Sequence, residues 1–145
     1  MRDVTLVMGL PGSGKSTWAK EHLGDGVVWD LDHIMAALLY RDDSHQPVRD
    51  DIRSAANSML ESFISEFENA DYPVIVIRTA PRAEELRLIN PTKIVYMTTL
   101  YDIRNRENYH DLTAAEMTTM AKRYLDTISW ARRNNIELLE VQHGL

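Results

Sequence analysis

A chain of 145 residues, 44% hydrophobic and 26% charged, suits one folded domain over residues 1–145, with a core that needs no cross-links. It has no cysteine, which excludes a disulfide scaffold, a thiolate metal site and a cysteine nucleophile, and agrees with a reducing compartment. The formal net charge of −6 argues against a broad grip on duplex nucleic acid, which needs basic faces, but leaves room for a local basic pocket that takes a phosphate or a strand end.

Val4-Thr5-Leu6-Val7-Met8 reads as a buried strand. It is too short for a signal-peptide core or a membrane span, so a cytoplasmic protein with no membrane partner is expected. Gly9-Leu10-Pro11-Gly12-Ser13-Gly14-Lys15-Ser16 follows and matches G-x-x-x-x-G-K-[ST], the phosphate-binding P-loop. Residues 16–23 read as the helix after it, so the motif lies between strand and helix, as its mechanism requires. Glycines let the loop wrap an anion closely, and its N–H groups and the helix N-terminus then point at phosphates. Lys15 supplies a charge for the β- and γ-phosphates and Ser16 a hydroxyl for Mg²⁺. The competing reading is a glycine-rich turn that binds nothing. Gly9, Pro11, Gly12, Ser13, Gly14, Lys15, Ser16 and Thr17 are thus the expected nucleotide-binding residues.

Gly24-Asp25-Gly26 predicts a turn, Val27-Val28-Trp29 a short strand, and residues 32–40 a helix with Ile34, Leu38 and Leu39 apolar. Residues 41–47 form a polar loop. A long helix is predicted over residues 48–69, with Ile52, Ala56, Met59, Phe63 and Phe67 as its core stripe. Val74-Ile75-Val76-Ile77 and Ile94-Val95-Tyr96-Met97 are continuous apolar runs of the kind found in buried parallel strands. A short helix is predicted over residues 81–88, and a charged segment, helix or loop, over 101–110. Thr113-Ala114-Ala115-Glu116 is a capping box that opens a helix reaching Arg133, with Met117, Met120, Tyr124, Ile128 and Ala131 on one side. Residues 136–141 complete the set as a fifth strand. Strands alternating with helices predict an α/β P-loop NTPase: a five-stranded parallel sheet, order 2-3-1-4-5, covered by helices on both faces. Ligands of such sheets lie at the carboxyl ends of the strands.

Those ends carry the candidate chemistry. Asp30-Leu31-Asp32-His33 follows the second strand. Asp32 is the candidate base that accepts a proton from an attacking hydroxyl, Asp30 the candidate cap, helper or metal ligand beside Ser16, and His33 a candidate substrate contact. The competing reading makes the two aspartates helix caps alone. Arg78 ends the third strand, where many P-loop proteins have an aspartate that holds a metal-bound water. It is read either as a contact to an acceptor phosphate or as the partner of one of the two aspartates, because an unpaired internal charge is costly. Asp102, Arg104, Arg106 and Glu107 follow the fourth strand. Arg104 and Arg106 are candidates for a lid that stabilises charge on the transferred group, against a self-paired surface segment. Arg78, Arg82, Arg104 and Arg106 are spaced so that some can converge, whereas Arg87 reads as a solvated surface residue. Residues 142–145 are a candidate approach to an adenine ring. His33, His45 and His110 show no metal-ligand spacing.

The chain resembles the small P-loop kinases of the AAA_33 type and is similar to the kinase half of phage polynucleotide kinase. The sharp part is Met8-Gly9-Leu10-Pro11-Gly12-Ser13-Gly14-Lys15-Ser16-Thr17-Trp18-Ala19, and a second match is Trp29-Asp30-Leu31-Asp32-His33-Ile34-Met35. The resemblance implies ATP-dependent transfer to a hydroxyl, on a nucleotide or a polynucleotide 5′ end, with Asp32 as general base and Mg²⁺ as cofactor. It also implies a substrate-contacting arginine where this chain has Met35, and an aspartate near Arg78, Thr79 and Ala80, so the chain departs from the family at both places. Two other readings stand beside the kinase: a nucleotide-dependent regulatory ATPase acting on a macromolecular partner, as in a phage assembly or DNA-handling complex, and a kinase of small molecules. The lack of an N-K-x-D sequence favours adenine over guanine.

Overall fold

The computed structural model describes residues 2–10, 12–42, 47–99 and 114–143. In chain order these form β1 (Val4–Met8), α1 (Lys15–His22), β2 (Val27–Asp30), α2 (Leu31–Leu38), α3 (Asp50–Phe67), β3 (Val74–Arg78), α4 (Ala83–Ile89), β4 (Lys93–Thr99), α5 (Ala114–Arg133) and β5 (Glu137–His143). The five strands form one parallel sheet in the order β2-β3-β1-β4-β5, as the alternation of elements predicts. Met8 stands opposite both Arg78 and Tyr96, and Asp30 opposite Ile77, so β1, β2 and β3 finish within a residue of one another, whereas β4 runs on beside β5 to Thr99. The polar segment at 43–46 and the charged segment at 100–113 lie outside the described residues. No helix among the described residues is long and apolar enough to cross a membrane.

β1 is buried along its whole length because it is central and both faces are covered. The pleat still sorts its side chains. Val4, Leu6 and Met8 join Val74, Val76 and Ile94 on one face, against Leu60 and Ile64 of α3, Leu86 and Ile89 of α4, and Ile128 and Ala131 of α5. Val7, Ile75, Ile77, Val95 and Met97 point to the other face, against Trp18 and Ala19 of α1. Gly26 sets the entry into β2. A Cβ there would lie 2.0 Å from the carbonyl oxygen of Pro73, which also accepts the N–H of Val27 at 3.0 Å.

Two helices are oriented differently from the sequence reading. The buried stripe of α3 is Ala56, Leu60 and Ile64. Of the predicted stripe, only Ala56 is fully buried; Ile52, Phe63 and Phe67 are half-buried at its margin and Met59 is 42% exposed. The apolar face of α3 is wide enough to hold two overlapping helical rows, and the row spaced by four residues has its centre against the sheet. In α2, Met35 is the buried residue, at 1% exposure, while Leu38 is 50% exposed. On this geometry, Leu60→Ala should destabilise the protein by about 2–5 kcal/mol in urea unfolding, and Met59→Ala by no more than about 0.5 kcal/mol; equal losses would contradict the orientation of α3.

Candidate functional site

The loop between β1 and α1 is built around glycine. Gly12 (φ 76°) and Gly14 (φ 96°) occupy conformations that side chains disfavour, and Gly14 is the N-cap of α1, its carbonyl accepting the N–H of Trp18 at 3.0 Å. A Cβ on Gly9 would lie 2.6 Å from Ser13 Oγ and 2.9 Å from Met97 Cβ. The Gly9 N–H donates to the Thr79 carbonyl at 3.1 Å, which fastens the loop to the segment after β3. Ser13 is buried, with its N–H donating to the Leu10 carbonyl at 3.1 Å and its Oγ without a partner among the described residues; it braces the loop from within. Gly12, Gly14, Lys15, Ser16 and Thr17 line a cavity of about 700 Å³ that lies beyond the strand ends. Pro11 lies outside the described residues.

Lys15 lies along its own loop. Its Nζ donates to the carbonyls of Gly9 at 2.6 Å and Leu10 at 3.1 Å. Burial lowers its pKa from 10.5 to about 8, against the opposing pull of the Asp32 and Asp30 carboxylates. Beside it, Ser16 Oγ and Asp30 Oδ2 are 3.4 Å apart. Asp30 has two tasks. It ends β2, and its Oδ1 accepts the N–H of Asp32 at 3.1 Å as the N-cap of α2. With no loop between β2 and α2, the cap, Asp32 and His33 are carried on one rigid corner. Asp32 lines the cavity; His33 is largely solvent-exposed, its Nε2 3.8 Å from Asp30 Oδ2.

A hydroxyl and a carboxylate oxygen are the hard donors that Mg²⁺ accepts, and Mg²⁺ commonly uses one or two carboxylates together with substrate phosphates and water. Ser16 and Asp30 therefore fit that ion. Among the described residues no group of three His, Cys, Asp or Glu could enclose a metal, so a site made wholly by these side chains is not formed.

Arg78 is paired, but not with an aspartate. Its guanidinium bridges to Glu85 of α4, donates to Asn57 Oδ1 of α3 at 2.8 Å, and lies 5.5 Å from the centre of the Trp29 ring. Burial pushes its pKa down, while the Glu85 carboxylate supports the charge. Glu85 also accepts the N–H of Arg82 at 3.1 Å, so one carboxylate caps α4 and neutralises Arg78. Sequence reasoning missed Glu85, although its spacing of three residues from Arg82, at a helix start, is the signal that could have found it. Arg78 still lines the cavity with Thr79, Ala80 and Ile77, joined by Arg53 and Asn57 of α3 and by Met120 and Arg123 of α5. Those four helix residues were not expected there, since both helices read as core. Arg82 lies 3.9 Å from Glu84, and Arg87 is exposed as expected. Arg104, Arg106, Asp102, Glu107, His45 and His110 lie outside the described residues.

Comparison with known proteins follows the same lines. No curated protein matches the sequence. Among solved structures, thymidylate kinase from Candida albicans superposes with a TM-score of 0.57 at 17% identity, covering 99% of this chain and 86% of that one. A chain of the Pnkp1/Rnl/Hen1 RNA repair complex gives a TM-score of 0.61 at 13% identity over 89% of this chain, which spans 46% of its length. A gluconokinase from Sinorhizobium meliloti 1021 gives 0.50 at 19% identity over 97% of this chain and 82% of that one. At such identities the likeness concerns the fold, and the fold is that of P-loop kinases. The AAA_33 family model, described as an AAA domain, matches residues 4–124, and the chain belongs to that family.

Proposed function

We propose that this protein is an ATP-dependent phosphotransferase that moves the γ-phosphoryl group to a hydroxyl of a nucleotide or a polynucleotide 5′ end. The observation that carries this reading is that one cavity holds both the Lys15–Ser16 end of the glycine loop and the Asp30–Asp32 corner. In this reading, backbone N–H groups of the loop, Gly12 and Gly14 among them, cradle the phosphates. Lys15 leaves its loop carbonyls for the β- and γ-phosphates. Burial makes that exchange favourable, because a poorly hydrated ammonium gains more from a polyanion than from two carbonyls. Ser16 and Asp30 hold Mg²⁺, which supplies neutralisation of charge on the phosphate oxygens when bound. Asp32 orients the acceptor hydroxyl and takes its proton as the new oxygen–phosphorus bond forms and the bond from the γ-phosphorus to the bridging oxygen breaks, releasing ADP. His33 and Arg78 bound the acceptor space, Arg78 held in place by Glu85 and Asn57. Arg104 and Arg106 close over the transferred group. The nucleotide-kinase and RNA-repair neighbours support this class of acceptor, and the gluconokinase neighbour keeps small metabolites in the test.

The test is incubation with Mg²⁺ and γ-labelled ATP against nucleosides, nucleotides, 5′-hydroxyl DNA and RNA, and small metabolites. Label on a nucleotide or a 5′ end is the expected result; ATP turnover that responds only to a protein partner, with nothing labelled, would replace the transferase reading by that of a regulatory ATPase. Asp32→Asn should slow transfer by about 10²–10⁴-fold and leave the Kd for Mg·ATP within about threefold. Transfer at the wild-type rate would reduce Asp32 to a helix-end residue.

A pH dependence follows from Lys15. Its free-state pKa of about 8 lies below the ordinary 10.5, and a bound polyphosphate favours the charged form and raises it. Binding above pH 8 therefore takes up a proton, and affinity falls as pH rises from the free toward the bound pKa, by at most about tenfold per pH unit. Calorimetry in buffers of different ionisation enthalpy at pH 8.5 should show net proton uptake, absent in Lys15→Ala. No uptake in the native protein would mean that the ammonium does not meet the phosphates.

A further inference from the structure

The helix α3 brings Arg53 and Asn57 to the cavity, the first exposed and the second half-buried. Asn57 is oriented by Arg78. A guanidinium carries N–H donors and no acceptor, so the amide oxygen has to face it, and Arg78 Nη1 donates to Asn57 Oδ1 at 2.8 Å. The guanidinium is itself fixed, because it bridges to Glu85 and lies 5.5 Å from the centre of the Trp29 ring. Turning the amide over would set its N–H groups against those of Arg78. The oxygen of Asn57 is therefore committed, while the N–H donors of its Nδ2 have no partner among the described residues and belong to a side chain that lines the cavity. Holding Arg78 does not explain the choice of an amide. A carboxylate at position 57 would hold a guanidinium more strongly, since a charge-assisted hydrogen bond is roughly twice as strong as a neutral one. An amide holds it less well and keeps donors to spare.

We propose that Asn57 is a specificity-determining residue that donates its free N–H groups to a ring carbonyl of the acceptor's base, and so selects bases with a keto group (uracil or thymine at O4, guanine or hypoxanthine at O6) over the amino-bearing cytosine and adenine. The inference rests on the kinase reading of the same cavity and narrows its acceptor from any nucleotide or 5′ end to one whose leading base carries that carbonyl. A neutral amide offers no net charge, which suits a carbonyl. An amino group in the same place would meet donor with donor and leave both unpaired, and a site built to hydrogen-bond one group rejects an analogue that lacks it more strongly than a mere misfit of shape would. Ile77, Ala80 and Met120 bring apolar atoms to the same cavity, the flanks that a planar ring requires, and methionine adapts well to an aromatic face. Arg78, held by Glu85, acts here as the positioning residue that keeps the amide from turning over.

The experiment titrates the whole chain, in the presence of a non-hydrolysable Mg·ATP analogue, with the 3′-monophosphates of uridine, cytidine, inosine and adenosine, each with a free 5′-hydroxyl. The pairs differ at the edge in question while the sugar and the phosphate stay constant. Uridine should bind more tightly than cytidine, and inosine more tightly than adenosine, by about 10- to 100-fold in Kd. Asn57→Asp keeps an oxygen for Arg78 and removes the N–H donors, so the keto preference should fall below about threefold or invert. A residue that only held Arg78 would leave the preference untouched in that variant. Equal binding of keto and amino compounds by the native protein, no binding of any of the four, or a keto preference that survives Asn57→Asp would each overturn the assignment; the native comparison decides alone if the variant does not fold. The analogue's own Kd reports separately on the kinase reading. If the analogue does not bind, that reading fails, and the same four titrations without it still decide whether Asn57 selects a carbonyl.

Discussion

Everything at the strand ends depends on the closeness with which backbone passes backbone at Gly9. This residue leaves β1 beneath the loop, with Ser13 and Met97 at distances no side chain could occupy, and with its N–H tied to Thr79. Three neighbouring strands thereby fix one loop: β1 by covalent continuity, β3 through the Thr79 carbonyl, and β4 through contact with Met97. Lys15 inherits that position, because its ammonium is held by the carbonyl of the same Gly9. A methyl group at residue 9 would move the loop, the lysine and the start of α1 together.

The cavity is electrically divided. Asp30 and Asp32 stand with Lys15 and Ser16, and Arg53, Arg78 and Arg123 stand on the wall of α3, β3 and α5. The division has a structural origin. The second strand passes directly into α2, which needs a carboxylate at its N-cap, and this cap places Asp30 next to Ser16. The third strand ends on a cation, which demands a carboxylate from elsewhere, and the first turn of α4 provides Glu85. With arginine at the end of β3, the carboxylate beside the loop hydroxyl is that of Asp30 from β2.

The fold was legible because its signals were redundant. Five apolar runs, a glycine loop in its proper setting and alternating helices agree on one sheet order, and the sheet has that order. The glycine-loop end of the cavity was legible for a related reason: its residues are contiguous, and a loop motif carries its geometry with it. The opposite wall was not. Glu85, Arg53, Asn57 and Arg123 come from three helices far apart in sequence, and nothing local in α3 or α5 distinguishes a guanidinium over a cavity from one in solvent. The stripe of α3 failed for a similar reason. Two rows of apolar residues satisfy the helical period equally well, and only the sheet beneath decides that Leu60, and not Met59, faces inward.

Met35 shows how packing and recognition constrain one another. The resemblance placed a substrate-contacting arginine at this position, but in this chain it is one of the largest fully buried side chains. An arginine there would carry an unpaired charge into the interior, at a cost of several kcal/mol unless it found a partner or a path to the cavity. The flank of α3 beside Ala56 and the flank of α5 beside Thr127 and Ile128 are free of core duty, and they bring Arg53 and Arg123 to the cavity. One fold can thus keep its glycine loop while the rest of the cavity is lined by helices that the loop motif does not constrain.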